Sequence, residues 1–199
     1  MKRLSVLFYL LFLTVACAQN KSAIDMTIDF QKNLNKEFKD PKTSPLPKDA
    51  IKKFTGLAFF PIDENFVVQA KLTRTPDTQP FEMPTTTARK PIYKKYGDLH
   101  FELNGTSFTL SVFQNLELIQ KPDYKNSLFL PFTDLTSGVS SYGGGRYLDL
   151  EIPTTDEITL NFNLAYNPYC VYNHKYSCPI PPEENFINTE IKAGVMDFK

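Results

Sequence analysis

The chain has 199 residues, with 22 Lys+Arg against 22 Asp+Glu, 42% hydrophobic and 14% aromatic residues. That is a globular composition, and a neutral balance lacks the basic excess that phosphate-backbone binding needs, so nucleic acid is not an expected partner. With 8 Gly against 15 Pro, 17 Phe and 10 Tyr, the bias is towards strands and proline-punctuated loops.

Lys2 and Arg3 precede the apolar run Leu4–Val15, which has the length of a signal-peptide core and is too short to span a bilayer. Residues 1–18 therefore read as an export signal. Two processing routes stay open: lipidation of Cys17 as the mature N-terminus, or cleavage after the A-x-A site Ala16-Cys17-Ala18. Lipidation is preferred, because a cysteine directly after an apolar signal core has little other use there. The expected location is the cell envelope, lipid-anchored and facing the periplasm. Without Lys2 and Arg3 the balance is 20 basic against 22 acidic residues, a charge of −2, so membrane attachment is expected only through a lipid on Cys17.

Residues 19–43 are expected to form an N-terminal helix and connector. Ile24, Ile28, Leu34 and Phe38 recur at helical spacing between Ser22, a candidate N-cap, and Pro41. Residues 44–199 read as one β-rich domain. Gly56–Phe60 and Asn65–Thr73 read as strands, the second alternating Phe66, Val68, Ala70 and Leu72 with Val67, Gln69, Lys71 and Thr73. Between Asp98 and Phe113, Asn104-Gly105 asks for a two-residue type I′ hairpin, which sets Leu103 opposite Thr106, Phe101 opposite Phe108 and Leu99 opposite Leu110. His100 then falls on the polar face. Phe129–Phe132, Arg146–Ile152 and Glu157–Phe162 complete about eight short antiparallel strands. The fold class is mostly β: a single-domain β-sandwich or partly open barrel with one N-terminal helix.

Two C-terminal features stand out. Gly143-Gly144-Gly145 precedes Arg146 in a chain sparing with glycine. Consecutive glycine amides beside an arginine can bind an anion, and the alternative is a tight turn with Arg146 paired to a carboxylate such as Asp134 or Asp149. The second feature is the asparagine- and tyrosine-rich stretch Asn161–Cys170, continuing to Cys178 and Pro182. Cys170 and Cys178 suit a disulfide in an exported protein, and two free thiols are the next alternative. Adding His174 gives a Cys-x-x-x-His-x-x-x-Cys spacing, a weaker metal-binding alternative that requires a helix. No cofactor is expected.

These stretches resemble an uncharacterised bacterial family, domain of unknown function 1684. The resemblance rests on Phe54-Thr55-Gly56-Leu57, Phe59–Asp63, Phe132–Gly138, Ser141–Leu148, Phe162-Asn163, Ala165–Pro168, Cys170, Cys178-Pro179, Pro181-Pro182 and Ala193-Gly194, and covers residues 38–194. Asn161 stands where the family usually has an acid. The resemblance implies no established activity, substrate or cofactor.

Two functions follow as expectations. The first is a binding or structural module of the envelope that takes a small molecule or another envelope component. The sequence lacks G-x-S-x-G, H-E-x-x-H and C-x-x-C motifs and has only 2 His. The second is an enzyme acting on a small anionic substrate. There Asp134 would serve as acid or base and Arg146 would hold the anion. Thr136, Tyr142, Gly144, Asn163, Tyr166 and Asn167 would line the same site. The two features are expected to meet at one end of the β framework.

Overall fold

The structure, a computed structural model, describes residues 21–198, so the segment expected as an export signal and Cys17 lie outside the described residues. Helix α1 (Ala23–Lys39) starts where Ser22 caps it, its hydroxyl accepting from the Asp25 amide at 3.1 Å, and Asp40 ends it before Pro41. The buried stripe differs from the expected one. Thr27 and Phe38 are buried and Phe30 and Leu34 partly so, whereas Ile24 and Ile28 are exposed. The helix is turned by a polar contact: the Asn161 amide donates to the Thr27 hydroxyl at 3.0 Å, which sets Thr27 rather than the isoleucines against the domain.

After a short helix α2 (Lys48–Ile51), Gly56–Phe60 does not form the expected strand. Phe59 makes one isolated bridge to Val195, because its partner is a brief pass of the C-terminal tail rather than a strand. The strands are β1 (Val67–Arg74), β2 (Phe81–Glu82), β3 (Ile92–Leu103), β4 (Thr106–Asn115), β5 (Ser127–Asp134), β6 (Arg146–Glu151), β7 (Glu157–Asn161) and β8 (Phe186–Ile187). They form one eight-stranded sheet in the order β6-β5-β4-β3-β1-β7; β2 pairs with β3, and β8 runs parallel to β5. The other pairings are antiparallel, and the sheet curls into a half-barrel as a single domain.

The β3–β4 hairpin has the register that its turn dictates, with Leu103 opposite Thr106, Phe101 opposite Phe108 and Leu99 opposite Leu110. Asn104 (φ 51°) and Gly105 (φ 75°) both lie in the left-handed region that a type I′ turn requires. His100 is exposed, with its ring Nδ1 3.0 Å from the Thr109 hydroxyl.

Alternation sends one set of side chains inward. Leu72, Leu99, Leu110, Leu130, Phe132, Leu148, Leu160 and Phe162 build the core, and truncating one such leucine to alanine costs roughly 2–5 kcal/mol. The edge strands β6 and β7 do not pair with each other directly. The chain leaving β7 crosses the gap, and Tyr147 and Tyr166 exchange two backbone hydrogen bonds of 2.9 and 3.0 Å. This seam brings the C-terminal loops against the outer face of β5 and β6.

Candidate functional site

Arg146 opens β6, and in alternation with Leu148 and Leu150 it points into the core. Its side chain is fully buried, as is that of Asp134, whose carboxylate accepts from the guanidinium Nη2 at 2.8 Å. Nη2 also donates to the Ile191 carbonyl at 2.8 Å, and Nη1 to the carbonyls of Ala193 and Val195. The rings of Phe60 and Phe132 lie 5.7 and 5.4 Å from the guanidinium carbon. Burial pulls the Arg146 pKa down, and Asp134 opposes that shift. The second Asp134 oxygen accepts from the amides of Thr136 at 2.8 Å and Ile191 at 3.1 Å, while the Thr136 hydroxyl bonds that of Ser141 at 2.8 Å. Only Nε lacks a partner. The cluster is a latch that ties the C-terminal segment to β5 and β6, and no face of Arg146 is left for an anionic substrate.

The glycine run is the turn that makes this burial possible. Gly145 has φ 89°, and a Cβ there would lie 2.5 Å from the Phe132 carbonyl oxygen, so only glycine lets the chain enter β6 with Arg146 turned inward. Gly144 packs on the ring of Tyr142 within the same turn.

The remaining candidates separate. Asn163 is buried, accepting from the Asp63 amide at 3.0 Å and donating to the Asp63 carbonyl at 2.9 Å, which fixes the turn ahead of β1. Asn167 donates to the Met196 carbonyl at 2.9 Å. Both act as loop ties. The glycine-arginine turn and the tail do meet at one end of the framework, but as a packed junction rather than one open pocket.

Cys170 and Cys178 are buried free thiols, not the expected disulfide. They adjoin, with the Cys170 amide donating to the Cys178 sulfur at 3.1 Å. Burial, reinforced by Cys170, pushes the Cys178 thiol up to about 12. Tyr169–Val171 is a single 3₁₀ turn, so Cys170, His174 and Cys178 gain no common helical face. Among the described residues no group of three His, Cys, Asp or Glu is placed to hold a metal ion.

The cavity lies on the other face of the same strands. Register aligns Phe113 of β4 with Phe129 of β5, and Phe129 with Asp149 of β6, so these three side chains form one row across the outer surface. Tyr147, two residues before Asp149, joins them, with its ring 4.7 Å from that of Phe129 and 5.9 Å from that of Tyr166. Tyr93 of β3 packs on Phe129 at 5.7 Å. Helix α1 covers this surface with Phe30, Leu34 and Glu37, the β4–β5 loop adds Leu118, Ile119 and Tyr124, and the C-terminal loops add Tyr169 and Tyr176. Together they line an open cavity of about 530 Å³ in which 9 of 21 lining residues are aromatic. This is the size and character of a small-molecule site.

Asp149 is the distinctive polar group of that wall. Its carboxylate accepts from the Tyr166 hydroxyl at 2.7 Å, its one hydrogen-bond partner among the described residues. Asp149 is exposed to solvent, and partial desolvation of its carboxyl raises its pKa above the usual value, against the lowering effect of the Tyr166 bond. Desolvation and the neighbouring carboxylate push the Tyr166 hydroxyl well above its usual range. Glu37 occupies the same lining and accepts from the Tyr169 hydroxyl. Of the sequence candidates only Tyr166 and Cys178 border this cavity, and neither Asp134 nor Arg146 does. Asp149 entered the sequence reading only as a possible partner for Arg146. The signal that singles it out is the alternation of Tyr147 and Asp149 with Arg146, Leu148 and Leu150.

No curated protein matches the chain. Among solved structures it is similar to the solution NMR structure of an uncharacterized protein from gene locus rrnAC0354 of Haloarcula marismortui. The TM-score is 0.67 and the identity 35%, over 87% of this chain and 93% of that one. The model of a family described as "Protein of unknown function (DUF1684)" matches residues 52–196, which include the latch, the cavity strands and the thiol pair, and the chain belongs to that family.

Proposed function

We propose that the protein is an exported envelope protein, lipid-anchored through Cys17, that binds a small organic molecule in the cavity beside Asp149. The observation that carries the binding reading is the aromatic cavity of about 530 Å³, walled by β3 to β6 and covered by α1 and the C-terminal loops. Folding alone gives no reason to keep so much aromatic surface around a wet carboxylate, since closer packing would stabilise the domain further. The anchor reading is supported by the apolar run Leu4–Val15 ending two residues before Cys17.

A thermal-shift screen of the form starting at Gln19 tests binding. A ligand at a hundred times its Kd adds about 2.7 kcal/mol to the stability of the folded state and raises the Tm accordingly. A broad screen of amines, alcohols and acids with apolar bodies that moves the Tm for no compound overturns the binding reading. Metabolic labelling with a radiolabelled fatty acid tests the anchor: label is expected on the wild type and not on Cys17→Ser.

A further inference from the structure

Building on the reading of the cavity as a ligand site, we infer that its ligand is an organic cation, an amine or ammonium group carried on an apolar body. The charge of the wall points this way. The lining holds two carboxylates, Asp149 and Glu37, and no lysine, arginine or histidine among its 21 residues. An anion entering it meets like charge.

The acceptor inventory separates a cation from a neutral guest. A carboxylate offers about four lone-pair sites, and Asp149 fills one with the Tyr166 hydroxyl. Asp149 lines the cavity, and its remaining acceptor sites, without a partner among the described residues, favour a donor that carries positive charge. Phenol and phenyl rings present negative faces, which attract an ammonium from directions that the carboxylate does not cover. The apolar body of such a ligand would lie along the Phe113–Phe129 row, leaving its charged head at Asp149, the last residue of that row.

Three probes that share one phenylpropyl frame test this: 3-phenylpropylamine, 3-phenylpropan-1-ol and 3-phenylpropanoate. Each is titrated into the ¹⁵N-labelled protein at neutral pH, and Kd is read from the amide shifts of residues around Tyr147 and Tyr166. The amine is expected to bind at least about tenfold more tightly than the alcohol, and the acid most weakly. In Asp149→Asn the amine-to-alcohol ratio is expected to collapse to within about twofold, in a variant whose spectrum shows it folded. Glu37→Gln is expected to reduce the ratio less, and it provides a second variant at which the charge effect can appear.

The outcomes are distinct. Equal binding of amine and alcohol, tighter binding of the acid, or a ratio unchanged in Asp149→Asn overturns the cationic assignment and leaves the cavity as a ligand site. Shifts confined to other parts of the protein, or no shifts with any probe, overturn the ligand site and the cationic assignment together.

Discussion

Asp134 and Asp149 stand on adjacent strands of the same ladder, one facing each side of the sheet, and the protein treats them in opposite ways. Asp134 lies in the core with its acceptors filled by a guanidinium and two amides. Asp149 faces a cavity with a single phenol for company. Arg146 and Asp149 are three residues apart on one strand, an odd separation that puts them on opposite faces. The difference shows how to tell architecture from recognition. A buried charge whose partners are all supplied by the chain holds the fold, whereas one with vacant acceptors beside a solvent-filled opening is available to something else.

Breaking the inner side of the comparison carries the largest effect. Arg146→Leu strands the Asp134 carboxylate in the core and releases the carbonyls of residues 191–195, and it is expected to cost on the order of 3–5 kcal/mol in denaturant unfolding. Retention of full stability would show that the latch does not hold the tail. Gly145→Ala forces a Cβ to 2.5 Å from the Phe132 carbonyl oxygen at a positive φ, and a loss above about 1 kcal/mol is expected in the same measurement.

On the outer side the effects shrink. Tyr166→Phe removes the phenol that bonds Asp149, an expected loss of about 1 kcal/mol, provided that its ring keeps its place against Tyr147. Asp149→Asn is expected to leave the Tm unchanged or raise it near neutral pH. Partial desolvation raises the folded pKa of Asp149, so the native state holds that proton to higher pH than the unfolded chain does. Stability from this group is therefore greatest below its unfolded pKa and falls as pH rises through the folded one. The groups facing it are Tyr147, Tyr166 and, across the cavity, Glu37 and Tyr169. The Tm difference between variant and wild type should accordingly grow with pH through the acid range. A difference that shrinks instead would mean that Asp149 is stabilised, not strained, by its surroundings.

The fold was largely legible because its signals are local. Asn104-Gly105 fixes a hairpin register over seven residue pairs, from Leu103–Thr106 to Gly97–Val112, before a bulge shifts it, and Ser22 with Pro41 brackets α1. The site was not legible, and β6 shows why. Arginine is normally an outward residue, so a strand beginning Arg146-Tyr147-Leu148-Asp149 offers two plausible polar residues of opposite facing. Only the ladder with β5, which sets Arg146 beside Phe132 and Asp149 beside Phe129, decides between them. The helix stripe misled for a similar reason. Ile24 and Ile28 satisfy helical spacing, but the Asn161–Thr27 bond, between residues 134 positions apart, chooses the face.

The seam between Tyr147 and Tyr166 has a consequence for motion. Two backbone hydrogen bonds join the edge of the half-barrel to the strap that also carries the Tyr166 phenol, so parting the seam withdraws that phenol from Asp149. The amide protons of these two tyrosines are natural reporters of opening. Their exchange with deuterated solvent should slow when a guest occupies the chamber, which makes one short stretch of chain both hinge pin and occupancy gauge.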